Sequence, residues 1–173
     1  MDINPFEADK FSDSIRQKEP SLRADSNRST FHKIEFLQNL DYSQKNKIWD
    51  ISQQLTFEKG DIIIDFNCET RGIYFLTTGS IEYYKKSNDI EQMSDSAKAP
   101  TVFGELWLMV DLPTKVKIIA KEHCVIYLAD RESFNDLLDK NGAIARKLYK
   151  RFTERLINKF IISDNDSAIK KAS

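Results

Sequence analysis

Between Gln54 and Ala129 the apolar residues fall in short β-rich runs broken by turn residues, and after Asp130 the period changes to that of a helix. Gln54-Leu55-Thr56-Phe57-Glu58 leads into the turn Lys59-Gly60-Asp61, and Ile62 to Phe66 follows as a strand. Gly72 to Thr78 is a further strand, closed by Gly79-Ser80. Beyond it Ile81, Tyr83 and Lys85 alternate with Glu82, Tyr84 and Lys86. Ser87 to Pro100 reads as a polar loop or a poorly patterned hairpin, and Lys115–Ala120 and Val125–Ala129 are two more β runs. Strands this short, joined by turns, predict a sandwich or a closed roll and exclude a βαβ array.

Helical signals flank this region. Phe31, Ile34, Phe36, Leu37 and Leu40 form an apolar cluster, after which Asp41 or Ser43 can cap a short helix carrying Ile48, Trp49 and Ile51. On the other side Asp130 caps a segment with Phe134, Leu137 and Leu138, which Asn141-Gly142 is expected to end in left-handed geometry. A longer helix is predicted from about Ala143 to Ile162, with Ala145, Leu148, Tyr149, Phe152, Leu156 and Phe160 as its apolar stripe. The expected organisation is an arm over 1–29, with Arg23 to Ser29 as loop and the alternative of a short docking helix around Glu7 to Lys18. A domain over 30–162 follows, comprising a roll at about 54–129 and helices over 130–162. A polar tail over 163–173 completes it.

Composition narrows the function classes. A formal net charge of −1 offers no basic footprint for nucleic acid. No apolar run has the length to span a bilayer, and MDINPFEADKF lacks the apolar region of a signal peptide, so a cytoplasmic location is expected. Cys68 and Cys124 are too few and too far apart for a disulfide framework or a zinc site, and both are expected to be small buried thiols. His32 and His123 lie far apart with no nucleophile or acid constellation nearby. No catalytic or metal-binding residue is predicted, and no enzyme.

The stretch Thr101 to Ala120, TVFGELWLMVDLPTKVKIIA, carries the binding chemistry. A glycine lets backbone N–H groups approach an anion, and the neighbouring carboxylate can accept hydroxyl hydrogen bonds. Several motifs in this order resemble the cyclic nucleotide-binding domain family, which includes catabolite activator proteins and protein kinase A regulatory subunits. They are Phe36-Leu37-Gln38-Asn39-Leu40, Phe57 to Asp61, Ile73 to Ile81, Phe103-Gly104-Glu105-Leu106, Asp130 to Phe134 with Leu137 and Leu138, and Arg155-Leu156 in a final helix. The resemblance covers about Phe36 to Leu156. It implies a mainly β, α+β fold: an antiparallel β-roll of jelly-roll type flanked by N-terminal helices and two C-terminal helices.

It also implies a ligand site in which Phe103, Gly104, Glu105 and Leu106 begin a phosphate-binding cassette, the glutamate accepting from a ribose hydroxyl. The family places an arginine after the position of Pro113, and its planar fork suits phosphate. Here Thr114 stands there and brings no charge. Losing such a charge-paired contact costs about 2–5 kcal/mol, roughly thirty-fold to several-thousand-fold in affinity. Trp107 stands where the family carries a small residue, and it can fill the pocket or stack on a base. Lys115 and Lys117 are the nearby cations, but strand alternation sets them opposite Thr114 and Val116, toward solvent. Asn67 replaces a glycine common in the family and tolerates left-handed geometry.

The resulting expectation is a regulatory or interaction module that binds cAMP and cGMP poorly and acts through protein contacts. The alternative is a sensor of a cyclic mononucleotide or cyclic dinucleotide that relays binding through its C-terminal helix. The kinase, channel or DNA-binding output usual for this fold is absent from the chain, so the expected partner is a separate effector or a second copy. Contact would run through the stripe of Leu148, Tyr149, Phe152, Leu156 and Phe160, or through the arm over 1–29.

Overall fold

A computed structural model describes residues 23–68, 71–108 and 113–171. Two antiparallel four-stranded sheets form the roll. The strands are β1 (Ser52–Phe57), β2 (Ile62–Ile64), β3 (Gly72–Thr78), β4 (Ser80–Ser87), β5 (Ile90–Lys98), β6 (Thr101–Phe103), β7 (Val116–Ala120) and β8 (Cys124–Asp130). One sheet runs β1-β8-β3-β6 and the other β2-β7-β4-β5. Helices α1 (Arg23–His32) and α2 (Tyr42–Asp50), with a 3-10 turn between them at Glu35–Leu37, precede the roll. Helices α3 (Arg131–Lys140) and α4 (Gly142–Lys171) follow it. The expected β-roll flanked by helices is the observed architecture.

Strand alternation divides the core in two. From β3 and β8, Tyr74, Leu76, Cys124, Ile126 and Leu128 meet Ile63, Ile64, Ile81 and Ile118 of the opposite sheet. The intervening Ile73, Phe75, Val125, Tyr127 and Ala129 face the helices, packing with Phe31, Ile34, Phe36, Ile48, Phe134, Leu148 and Phe152. A sheet covered on both faces needs apolar residues at every position, which is why β3 and β8 read as continuous apolar runs. The other sheet has one wet face, and on β4 only Ile81 is fully buried.

The helix ends follow local chemistry. Asp41 closes a capping box on α2 with Gln44. Asp130 accepts from the Ser133 backbone N–H at 2.9 Å and starts α3. Hydrogen bonds from Ser133, its backbone N–H foremost, hold the Asp130 carboxyl below the usual carboxylate range. A depressed folded-state value means a contribution present above the ordinary carboxylate pKa and lost as pH falls through the lowered one. Asp130→Ala is therefore expected to cost about 1 kcal/mol near neutral pH. In thermal melts the gap from the unsubstituted chain should narrow as pH falls from neutral through the acid range below the ordinary carboxylate pKa.

Several expectations are corrected. Arg23 to Ser29, expected as loop, lies in α1, because the helix is held at one end by tertiary contacts rather than by an apolar stripe. Phe31 is fully buried, Arg28 lies 5.8 Å over the Trp49 ring, and Thr30 Oγ1 donates to the Ser26 carbonyl. Ser87 to Pro100 is the hairpin of the two readings, and most of it is strand β5, which pairs with β4 on both sides of a register shift between Tyr83 and Tyr84. Its turn is Asn88-Asp89, both at positive φ (50° and 61°), a geometry these side chains tolerate.

Asn141 sits at φ −134°, not left-handed. It ends α3 through its Nδ2 donating to the Leu137 carbonyl, while its own carbonyl accepts from Ile144 and Ala145 to begin α4. Helix α4 runs on to Lys171, past the expected end at Ile162 and through most of the expected tail. Cys68 is exposed, and only Cys124 is a buried thiol. The alternative helix at Glu7 to Lys18 falls outside the described residues.

Candidate functional site

β6 ends at Phe103, and Gly104 turns the chain at φ +85° into a 3-10 helix, Glu105–Leu108. A Cβ at Gly104 would stand 2.8 Å from Tyr74 Cδ2 and 2.9 Å from the Gly72 carbonyl, so this position needs glycine for both space and φ. The Tyr74 ring beneath it stacks on Phe103, with centroids 5.0 Å apart. Burial pushes the Tyr74 phenol up. The turn therefore rests on an aromatic floor that belongs to the inter-sheet core.

Glu105 is 3% exposed. Arg155 of α4 reaches it, with Nε donating to Oε1 at 3.1 Å and Nη2 also 3.1 Å from that oxygen. The same guanidinium lies 3.5 Å from the Val102 carbonyl. The cassette carboxylate is thus tied directly to the C-terminal helix.

Thr114 is fully buried. Its hydroxyl donates to the Val116 carbonyl at 2.9 Å and accepts from the Val116 N–H at 3.1 Å. Its backbone N–H donates to the Cys68 carbonyl, and its carbonyl accepts from Asn67 N–H at 2.8 Å. Asn67 takes the left-handed conformation expected for it, at φ 59°. Every polar group of Thr114 is engaged in holding the loop after β2 against the start of β7. At the position where the family resemblance calls for a phosphate-binding cation, the structure has a buried, neutral backbone clip.

Of the two lysines expected toward solvent, Lys117 is instead largely covered, its side chain 14% exposed. Lys115 is exposed. Lys117 pairs with Glu91 at 2.6 Å and lies 5.2 Å over the Phe66 ring, which Lys86 also covers at 4.8 Å. The side chains of Leu106 and Trp107 lie outside the described part of the structure, as does that of Phe160.

Tyr83 is a residue that sequence reasoning passed over. It stands opposite Asp95 on β5 and Ile118 on β7. It shares the inward face of β4 with the fully buried Ile81 and packs against the inter-sheet core that contains Phe103. Burial, with the Glu105 and Asp95 charges, pushes its phenol up, and Arg155 acts in the opposite sense. The alternation of Ile81, Tyr83 and Lys85 was the signal available for this placement.

The predicted stripe on α4 splits. Leu148 and Phe152 are buried in the chain's own core, with Phe152 4.9 Å from the Phe36 ring. Ile144, absent from the predicted stripe, is buried with them. Leu156 is half-buried, while Tyr149 and Ile157 are exposed. Arg151 fastens the helix to the N-terminal segment through Glu35 Oε1 at 2.9 Å. Among the described residues no cluster of His, Cys, Asp and Glu could hold a metal ion, and no helix is long and apolar enough to cross a membrane.

Comparison with known proteins points the same way. Residues 54–141, about half the chain, match the family model described as cyclic nucleotide-binding domain. The chain is 27% identical over 113 residues to the cAMP-dependent protein kinase regulatory subunit of Candida albicans, covering 65% of this chain and 24% of that protein. It is 28% identical over 114 residues to the corresponding subunit of Aspergillus fumigatus, covering 66% of this chain and 27% of that one. The chain thus spans about a quarter of the length of these curated relatives.

Among solved structures, the Thermus thermophilus catabolite activator protein superposes with a TM-score of 0.67 at 16% identity, over 76% of this chain and 62% of its own. The regulatory domain of Toxoplasma gondii protein kinase A, crystallised with cAMP, gives 0.63 at 17% identity, over 79% and 52% of the two chains. The regulatory subunit of a cAMP-independent protein kinase A from Trypanosoma brucei gives 0.61 at 23% identity, over 78% and 53%. At these identities the likenesses speak for the fold.

Proposed function

Because this chain belongs to the cyclic nucleotide-binding domain family, we propose that it is a non-catalytic regulatory module whose altered cassette does not hold cAMP or cGMP tightly and which acts through contacts with other proteins. The observation that carries this reading is Thr114, buried and neutral, with its hydroxyl returned to the backbone of Val116. A cyclic phosphate placed over the Gly104-Glu105 turn would find backbone N–H groups but no guanidinium from this position. Anion binding by N–H groups alone forgoes the bidentate, charge-assisted bonds that make arginine the stronger phosphate ligand. The fold itself does not decide the matter. It is shared with a regulatory domain solved with cAMP and with the regulatory subunit of a kinase described as cAMP-independent.

Contacts with a separate effector, or with a second copy, are assigned to the outward side of α4, where Tyr149 and Ile157 are exposed. Relatives named as kinase regulatory subunits support a regulatory role of this kind.

Thermal melting with about 1 mM cAMP or cGMP tests the reading. A ligand at about a hundred times its dissociation constant stabilises by about 2.7 kcal/mol, a shift of roughly 5–10 °C for a chain of this size. The expected result is a shift below about 1 °C with either nucleotide. A shift of several degrees, abolished in Glu105→Ala, would reject the reading. It would favour instead a nucleotide sensor, for which the Arg155–Glu105 bond supplies the physical link: ligand hydroxyls competing for Oε1 would loosen α4 from the cassette.

A further inference from the structure

The inward face of β4 brings a bulky aromatic residue to the cassette. Side chains alternate across a strand, so Tyr83 points the same way as Ile81, into the space between the sheets. Across the ladder it stands opposite Ile118, itself fully buried in that space. Phe103, two residues before Glu105, packs in the same inter-sheet cluster. Asp95 of β5 stands opposite Tyr83 across the ladder, and the charges of Glu105 in the cassette turn and Arg155 on α4 act on its phenol.

We propose that Tyr83 is a second determinant of what the cassette accepts: its ring takes up the inter-sheet space beside Glu105 that the flat base of a nucleotide bound there would need. The proposal rests on the reading that the cassette excludes cyclic nucleotides, and it adds a steric cause to the missing charge. A ligand held by Glu105 extends from a carboxylate that is itself buried, so its remainder must lie against neighbouring walls. One of those walls is Tyr83. Tyr83, partly buried and packed against this core, can yield its place to a second ring only by moving. A phenol carries no positive charge in either protonation state, so Tyr83 supplies no cation for a phosphate. Reopening the site therefore takes two changes, a cation for the phosphate and a smaller residue at position 83.

The experiment is isothermal titration of cAMP into the full chain carrying Thr114→Arg, alone and combined with Tyr83→Val or Tyr83→Phe. The expected result is that Y83V/T114R binds about tenfold or more tighter than T114R, while Y83F/T114R, which keeps the ring, matches T114R. A Y83V double variant no tighter than T114R overturns the proposal. So does an equal gain with phenylalanine, which would assign the effect to the hydroxyl. If the valine variant does not melt cooperatively, Tyr83→Leu replaces it under the same criterion. Tight binding by the unsubstituted chain would overturn the function reading instead, and the Tyr83→Val comparison on that background would then decide this proposal separately.

Discussion

Replacing Phe31 with alanine is expected to cost about 3–5 kcal/mol of stability, the range for deleting a fully buried phenylalanine. In a chain of this size that lowers the melting temperature by roughly 6–20 °C. Phe31 is 0% exposed at the end of α1. Its ring centroid lies 4.7 Å from that of Phe75 on β3, 5.2 Å from Trp49 on α2 and 6.2 Å from Tyr127 on β8. Deleting it opens a cavity where three elements meet, and a sheet backed by helices cannot collapse to fill it. The aromatic contacts add about 0.5–1.5 kcal/mol each beyond area burial in favourable geometry, which places the cost toward the upper end. Calorimetry or circular dichroism melts decide the point. A drop below about 2 °C would mean that α1 is not the lid of the helix-side core.

On a Tyr83→Val background, Thr114→Arg is expected to tighten cAMP binding by about thirty-fold, the lower end of the range for a buried charge-paired contact. The lower end applies because the substitution removes the hydroxyl that serves Val116 N–H and carbonyl, and the β7 start must find water or other partners for them. The guanidinium would also have to leave a fully buried site and reach over the turn. Titration calorimetry of the two proteins side by side measures the ratio. An unchanged affinity, with the variant still folding cooperatively, would mean that position 114 does not face the cyclic phosphate, and the account of the cassette built on it would fail.

These two expectations fall on residues of different legibility. Phe31 stands out in the sequence as the start of an apolar cluster with Ile34, Phe36 and Leu37. Its helix did not, because α1 presents little apolar surface before its last turn and is stabilised from outside, by Trp49 and Asp50 meeting Arg28. Thr114 was legible as a missing arginine by its place after Pro113, yet what its hydroxyl does instead requires the register of Val116. The β5 strand was obscured for a related reason. It lies at a sheet edge with nearly all its residues exposed, so no alternation marks it. Only its pairing with β4 makes it a strand.

The linear pattern by itself marked short strands of a sandwich or closed roll, the helices α2, α3 and α4 around them and the Gly104-Glu105 turn, and the family resemblance implied the roll. Apolar period, turn residues and caps are local properties, each written within a few neighbouring positions. Contacts between positions far apart in the chain were decided only in three dimensions. Arg155 reaches Glu105 across a separation of 50 residues, Tyr83 stands opposite Ile118 of β7, and α4 buries Leu148 and Phe152 while leaving Tyr149 exposed. Such contacts depend on how sheets curl and where helices cross, and those are settled by the packing of the whole core rather than by any segment of it.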